Sequence, residues 1–199
     1  TDSGKLIMND KPVAAKMDKK RIIELIIALR LLRKYYEHAF NLDREIDADY
    51  LALVDDLLDL KEVQYMKKNI QHSDITTFEH TLCVSYIAYK LCKILDWNFR
   101  AAARAGLLHD LVYYDWHKPD PSHRLHGYRH PGFALKNAKE ITTLSSVEED
   151  IINRHMWPLT PTPPRYREAW VVTLVDKYCA TKETMRKFEF QPENYRRDY

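Results

Sequence analysis

Apolar residues recur along most of this chain at the three- and four-residue spacing that is typical of amphipathic helices. This pattern predicts long helices over residues 19–40, 46–60, 77–95, 99–111 and 167–188. Residues 62–70 either extend the second helix or begin another. Two shorter helices are predicted before the last of these, one opened by Pro131 and one by a capping box from Ser146 to Glu149. Only 4 glycines interrupt the chain, so we predict an all-α fold.

The helices are predicted to form one bundle with an N-terminal annex. Residues 1–71 supply helices that pack on the remainder, residues 72–190 form the main helical domain, and residues 191–199 are a polar tail. The sequence has no linker rich in proline, glycine or serine between the first two parts. A chain of 199 residues is long enough for this arrangement to bury a sizeable core.

Composition narrows the functional classes. The chain has 31 Lys and Arg against 29 Asp and Glu, a net charge of +2, which gives no electrostatic basis for bulk nucleic-acid binding. Cys83, Cys92 and Cys179 lie in helical patterns without metal-knuckle spacing, as the core thiols of a reducing compartment do. No run of about 18 apolar residues occurs. We therefore expect a cytoplasmic protein with no membrane partner, and its oligomeric state stays open.

Several residues that can bind metals lie on apolar helix faces. His80 shares a face with Val84, and His155 shares one with Ile151. Taken alone, His80 is more simply a hydrogen-bonded core histidine. Asp176 also projects from an apolar face, and a buried carboxylate needs a partner, which metal coordination would provide.

The pair His109-Asp110 ends an alanine-rich helical run. The small side chains of this run let neighbouring helices approach closely, as a metal with ligands on several helices requires. His130 precedes Pro131, so it is predicted to lie at a helix cap with its ring free to point inward.

The segment between these sites, residues 112–129, lacks a helical period and is dense in histidine, arginine, lysine and tyrosine. Long loops of this kind usually have a function. We interpret it as a wall that holds substrate, and an ordinary surface loop is the alternative. Within it Asp115 could serve as a general acid for the leaving group or, as a lone exposed acid, have no role, and the same alternatives apply to His117, His123 and His126.

The order His, His-Asp, His, His, Asp resembles the HD-domain superfamily of metal-dependent phosphohydrolases, in its two-metal branch, over roughly residues 72–185. The resemblance implies an HD-domain-like helical bundle in which His109 and Asp110 are catalytic. It implies a first ion held by His80, His109, Asp110 and Asp176. It also implies a second ion held by His130 and His155, with the Asp110 carboxylate bridging the two.

Six such ligands exceed the four of a closed structural zinc site, and they suit two divalent ions that activate a water for phosphoester hydrolysis. Mixed imidazole and carboxylate ligation favours iron or manganese, with zinc, cobalt and nickel as further possibilities. The expected partner is a small phosphorylated substrate such as a nucleotide. Candidate contacts to its phosphate are the cations Lys118, Arg124, Arg129 and Lys177, of which the last two adjoin ligands.

Two alternatives stay open at this point. A di-iron oxygenase of the same superfamily resembles this ligand set, and a catalytically inert nucleotide-binding or regulatory module would also retain it. The cyclic-dinucleotide branch carries a Gly-Lys after the His-Asp pair and a Gly-Tyr-Pro further on. Here Leu111 and Val112 follow the pair, and Arg129 follows Tyr128, so a cyclic dinucleotide has no support.

Overall fold

The computed structural model describes residues 30–114 and 125–189, with side chains through residue 185. Its helices are α1, described over residues 30–39, α2 (Ala48–Leu58), α3 (Lys61–Tyr65), α4 (Thr77–Ile94), α5 (Phe99–Leu108), α6 (His126–Ile141), α7 (Ser146–Arg154) and α8 (Arg167–Glu189). The predicted all-α fold is confirmed. None of these helices has both the length and the apolarity needed to cross a bilayer.

A short antiparallel hairpin between α3 and α4 was not predicted. A 3-10 turn (Met66–Lys68) leads into β1 (Ile70–His72), which pairs with β2 (Ile75–Thr76). Ser73 turns the chain with a positive φ of 57°. Thr76 then caps α4 and forms a capping box with Glu79. The hairpin carries Gln71 into the interior, where it is buried.

Helices α4 and α5 pack in unusually close contact, as the small residues of α5 predict. A Cβ atom added at Gly106 would lie 2.9 Å from the Cα of Ser85. The Ser85 hydroxyl donates a hydrogen bond to the Ala103 carbonyl at 2.6 Å and accepts one from the Tyr50 hydroxyl at 2.8 Å. This contact sets the spacing between the helices that carry His80 and the His-Asp pair.

The helices before residue 72 are joined to the bundle through polar contacts as well as apolar ones. The buried Asp47 carboxylate accepts hydrogen bonds from Tyr86 of α4 and pairs with His38 of α1, each at 2.8 Å. Arg104 of α5 donates to the Asp56 carboxylate of α2 at 2.8 Å. The domain boundary near residue 72 stays a prediction, and residues 1–29 and 190–199 lie outside the described ranges.

Two predicted helix boundaries near the metal-binding residues were wrong. Helix α5 ends at Leu108 rather than at Leu111, and His109 is its C-cap. Helix α6 begins at His126, so Pro131 lies inside it rather than at its first position. The helix can start earlier because Leu125 adopts a left-handed conformation and its carbonyl accepts bonds from Tyr128 and Arg129.

The capping box of α7 lies one residue earlier than predicted. Ser145, not Ser146, is the N-cap, and its hydroxyl accepts a hydrogen bond from the Glu148 amide. Both serines are three residues from a glutamate, so spacing alone does not choose between them. The expectation that the three cysteines are thiols of the core is confirmed, because all three are buried and free.

Candidate metal centre

The structure brings all six predicted ligands together in the interior. They come from five helices or helix ends, and their exposed fractions lie between 0% and 7%. The residues are His80 of α4, His109 and Asp110 after α5, His130 of α6, His155 after α7 and Asp176 of α8. Polar groups buried to this degree require partners. Their role as ligands stays a prediction, and their convergence is a fact of the fold.

Two of the histidines are held in place by the same backbone contact at the end of a helix. His109 and His155 each occupy the C-cap position of a helix, and each Nδ1 lies 2.8 Å from the carbonyl three residues earlier, that of Gly106 or Ile152. A carbonyl only accepts, so each Nδ1 carries the proton and donates it. The last turn of a helix leaves such carbonyls without intrahelical partners. The Nε2 lone pair of each ring is therefore directed away from the helix and toward the centre.

The first ligand group comprises His80, His109, Asp110 and Asp176. The Nε2 of His80 lies 3.1 Å from Asp176 Oδ1 and 4.0 Å from Asp110 Oδ2. The Nε2 of His109 lies 3.6 Å and 3.5 Å from the same two oxygens. Ligand atoms about 2.0–2.2 Å from a shared ion are themselves about 3 to 4 Å apart. These separations therefore match a group that closes around one ion.

The second ligand group comprises Asp110, His130 and His155. Asp110 Oδ1 lies 3.1 Å from His130 Nε2 and 3.3 Å from His155 Nε2. The two Nε2 atoms are 2.8 Å apart. Asp110 thus directs one carboxylate oxygen at each group. Within the described residues, His80, His109 and Asp110 form one cluster with metal-ligand spacing, and the second group forms another.

The bonding of these atoms fits a metal better than it fits a closed hydrogen-bond network. His109 Nε2 and Asp110 Oδ1 are buried without a geometrically acceptable hydrogen bond among the described residues. The Nδ1 of His130 lies 3.0 Å from the His126 carbonyl, so, as in His155, it is Nε2 that faces the other ligands. When both rings are neutral, two lone pairs face each other and repel, and a cation between them and the carboxylate would relieve this repulsion.

The electrostatics of the site also suit a cation. Burial lowers the pKa of His155 to about 4, so this ring is neutral at pH 7. Burial alone would raise the pKa of Asp110, but the three imidazoles that face it hold the pKa well below its usual range. Asp176 behaves in the same way, because its neighbours His109 and His80 outweigh the effect of burial on its pKa. Both carboxylates are therefore ionised.

Sequence reasoning missed two residues that support the ligands. Glu183 of α8 is fully buried, and its carboxylate lies 2.8 Å from His80 Nδ1. Gln71 of β1 donates to Asp110 Oδ2 at 2.7 Å, while its own amide oxygen accepts from the Thr77 hydroxyl at 3.1 Å. Both contacts fix the orientation of a predicted ligand.

Two further histidines border the centre. The ring of His72 stands edge-on to that of His80, with centroids 5.7 Å apart. The ring of His126 is stacked on that of His130, with centroids 4.5 Å apart, and its Nδ1 lies 3.0 Å from the Tyr114 hydroxyl. His72 was not among the candidates, since it lies on the unpredicted hairpin.

Of the four predicted phosphate contacts, two can be placed. Lys177 donates to the His155 carbonyl at 2.8 Å and to Asp176 Oδ2 at 3.1 Å, so its charge adjoins both ligand groups. Arg129 is exposed and lies over the Phe133 ring. Lys118 and Arg124 lie outside the described residues, as do Asp115, His117 and His123. The role of Lys177 and Arg129 in substrate binding stays a prediction.

Comparison with known proteins agrees with this geometry. The family model described as "HD domain" matches residues 77–181, just over half of the chain. The match begins at the first residue of α4 and includes all six converging residues. No curated protein and no solved structure matches the sequence.

Proposed function

The chain belongs to the HD-domain family, and we propose that it is a phosphohydrolase that cleaves a phosphoester with two divalent metal ions. The family is mostly one of metal-dependent phosphohydrolases, and two clusters of buried residues here have metal-ligand spacing. The single observation that carries the proposal is the placement of Asp110, whose two oxygens face separate groups of imidazoles.

We assign the first ion to His80, His109, Asp110 and Asp176, and the second to Asp110, His130 and His155. When bound, the ions would lower the pKa of water so that hydroxide is available at neutral pH, and would neutralise charge on the phosphoryl oxygens. Asp110 would contribute one carboxylate oxygen to each ion. Gln71 keeps the Asp110 carboxylate in place through its hydrogen bond to Oδ2.

The donor set limits the choice of metal. Four imidazoles and two carboxylates favour a transition metal over magnesium or calcium, which prefer oxygen ligands. We propose iron or manganese, with zinc, cobalt or nickel as possible substitutes. No thiolate contributes, because the buried cysteines are not in either ligand group.

The substrate that we propose is a nucleotide or another small phosphorylated molecule. Lys177 is the best-placed described cation, since its ammonium donates hydrogen bonds both to the Asp176 carboxylate and to the backbone carbonyl of His155. The Lys177 side chain is partly exposed, with 39% of its surface accessible, so its ammonium can exchange a protein contact for a phosphate oxygen. Arg129 is a second candidate, because it is exposed and adjacent to His130 in the chain.

The proposal is tested by assaying purified protein, loaded with Mn²⁺, against a panel of phosphomonoesters, phosphodiesters and nucleotides without oxygen. We expect release of phosphate or of the leaving alcohol, and its loss in Asp110→Ala. The matched control is Asp55→Ala, because Asp55 is exposed on α2, and this variant should keep full activity.

Three other results would contradict the proposal. Turnover that requires both iron and dioxygen would identify an oxygenase. Nucleotide binding by thermal shift with no turnover of any substrate would identify a binding module. Undiminished hydrolysis in a folded Asp110→Ala variant would place the reaction elsewhere.

A further inference from the structure

We propose that Glu183 is a positioning residue for His80 and that its carboxylate makes the first ligand group the tighter of the two metal sites. This inference rests on the two-metal centre proposed above. It assigns a role to a residue outside both ligand groups, and it predicts the order in which the two sites fill.

Glu183 holds the ring of His80 from the side opposite the centre. Its Oε2 lies 2.8 Å from His80 Nδ1, and both side chains have no accessible surface. With Nδ1 donating to this carboxylate, His80 Nε2 faces Asp176 Oδ1 at 3.1 Å, and a bound cation would replace the proton on Nε2 and take its lone pair. A histidine that donates its second N–H to a carboxylate is fixed in tautomer and orientation and is a more basic metal ligand.

The other histidines of the centre lack this kind of partner. His109, His130 and His155 each place Nδ1 near a backbone carbonyl, at 2.8, 3.0 and 2.8 Å respectively. A carbonyl is neutral, whereas a bond from N–H to a carboxylate is charge-assisted and roughly twice as strong. The two ligand groups therefore differ in the strength of their supporting bonds. The first group also has four ligands, whereas the second has three.

A purely structural role for Glu183 explains less. In that reading the residue simply links α8 to α4 across the core. Its second oxygen, Oε1, is buried without a hydrogen-bond partner among the described residues, which costs free energy. An uncharged glutamine could accept the same hydrogen bond from Nδ1. A carboxylate also brings negative charge close to His80, and a divalent cation beyond the ring would compensate that charge.

The decisive substitution is Glu183→Gln, which keeps a side-chain oxygen to accept the Nδ1 bond and removes the charge. The control is Glu168→Gln, because Glu168 is a buried glutamate of the same helix whose carboxylate accepts from the Asn98 amide rather than from a proposed ligand. A third variant, His155→Asn, identifies which binding event belongs to the second ligand group. All three are made in the full chain and stripped of metal with a chelator.

Mn²⁺ binding is measured by isothermal titration calorimetry, and unfolding of each metal-free protein by urea. The wild type is expected to show a tight and a weak class of site, and His155→Asn to lose the weak class. Glu183→Gln should weaken the tight class by about 10- to 100-fold and leave the weak class unchanged. Glu168→Gln should bind as the wild type does.

Several results would overturn the inference. They are a Glu183→Gln isotherm equal to that of the wild type, an equal loss in both classes, or a loss of metal-free stability with unchanged binding. A failure of the proposed function has a different signature, because a protein that binds two ions but hydrolyses nothing would still give readable isotherms.

Discussion

The Nε2 atoms of His130 and His155 lie 2.8 Å apart and both face Asp110 Oδ1. Because the Nδ1 atoms of these rings lie against backbone carbonyls, the facing nitrogens carry lone pairs when the rings are neutral. Such an arrangement is unfavourable without a proton or a cation among the three atoms. The fold thus holds together groups that repel one another until a positive charge is bound.

Metal removal should therefore lower stability. Ions that bind the folded chain but not the unfolded one stabilise it by about 2.7 kcal/mol for each site held at 100 times its dissociation constant. We expect the thermal midpoint to rise on addition of Mn²⁺ to chelator-treated protein and to fall again with excess chelator. Equal midpoints in Mn²⁺ and in chelator would contradict the account, whereas Mg²⁺ should give a smaller shift than Mn²⁺ because the site offers imidazoles.

The close packing at Gly106 predicts an asymmetry between two glycines. In Gly106→Ala the new methyl would meet the Ser85 backbone at 2.9 Å, whereas Gly132, exposed on α6, has open space around its Cβ position. Alanine gains about 0.5–1 kcal/mol of helix stability at either position, and overpacking costs about 1–3 kcal/mol.

Urea denaturation should therefore show that Gly132→Ala is more stable than the wild type, and that Gly106→Ala is less stable than Gly132→Ala by about 1–3 kcal/mol. Equal stabilisation by both substitutions would mean that the α4–α5 contact is not rigid. Gly106→Ala should also weaken metal binding, because α4 and α5 carry ligands of the first group.

Asp47 predicts a dependence of stability on acid that is separate from the metal centre. Burial alone would raise the pKa of Asp47, but hydrogen bonds from the Asp43 amide, His38 and Tyr86 hold the pKa below 3.8. A carboxyl whose pKa is lower in the folded state stabilises the fold above its unfolded pKa. This contribution is lost as the pH falls through the folded pKa.

Asp47→Asn should cost about 1.5–3 kcal/mol at pH 6, the usual range for hydrogen bonds to a charged group. Urea midpoints measured in chelator from pH 6 to pH 3 should show this difference shrinking below about pH 4. Asp55→Asn, on an exposed position of α2, should match the wild type throughout. A difference that is constant with pH would show that the Asp47 charge contributes nothing.

Lys177 predicts an effect on catalysis. Loss of its ammonium in Lys177→Met removes the described cation nearest both ligand groups, and a hydrogen bond to a charged group is worth about 1.5–3 kcal/mol. We expect kcat/KM for a phosphoester to fall about 10- to 100-fold, with metal content retained. Lys136→Met, exposed on α6, is the control. Unchanged kcat/KM in Lys177→Met would assign phosphate binding to another residue.

The sequence predicted those residues of the centre whose inward direction follows from the apolar period of a helix. His80 and Asp176 lie on helices, and His155 directly follows one, whose apolar faces define the inward direction, and all three residues are buried. The same reasoning, applied further along α8, identifies Glu183, which follows Asp176 by two helical turns and therefore lies on the same face.

Other features of the centre and its helices leave no periodic signal in the sequence. Gln71 reaches Asp110 from a strand of three residues, which is too short for a period to show. The end of α5 was missed because Leu111 and Val112 are buried and continue the apolar pattern after the helix has stopped. The start of α6 was predicted too late because proline is common at the first position of a helix, whereas here Leu125 is the N-cap and Pro131 lies inside the helix.

The most direct test of the two-metal centre is a crystal structure of the Mn²⁺-loaded protein with anomalous scattering recorded near the manganese edge. The account predicts two anomalous peaks about 3.5–4 Å apart, one on each side of the Asp110 carboxylate, with His80 beside one and His155 beside the other. A single peak, or peaks that leave His130 and His155 without a metal, would contradict it.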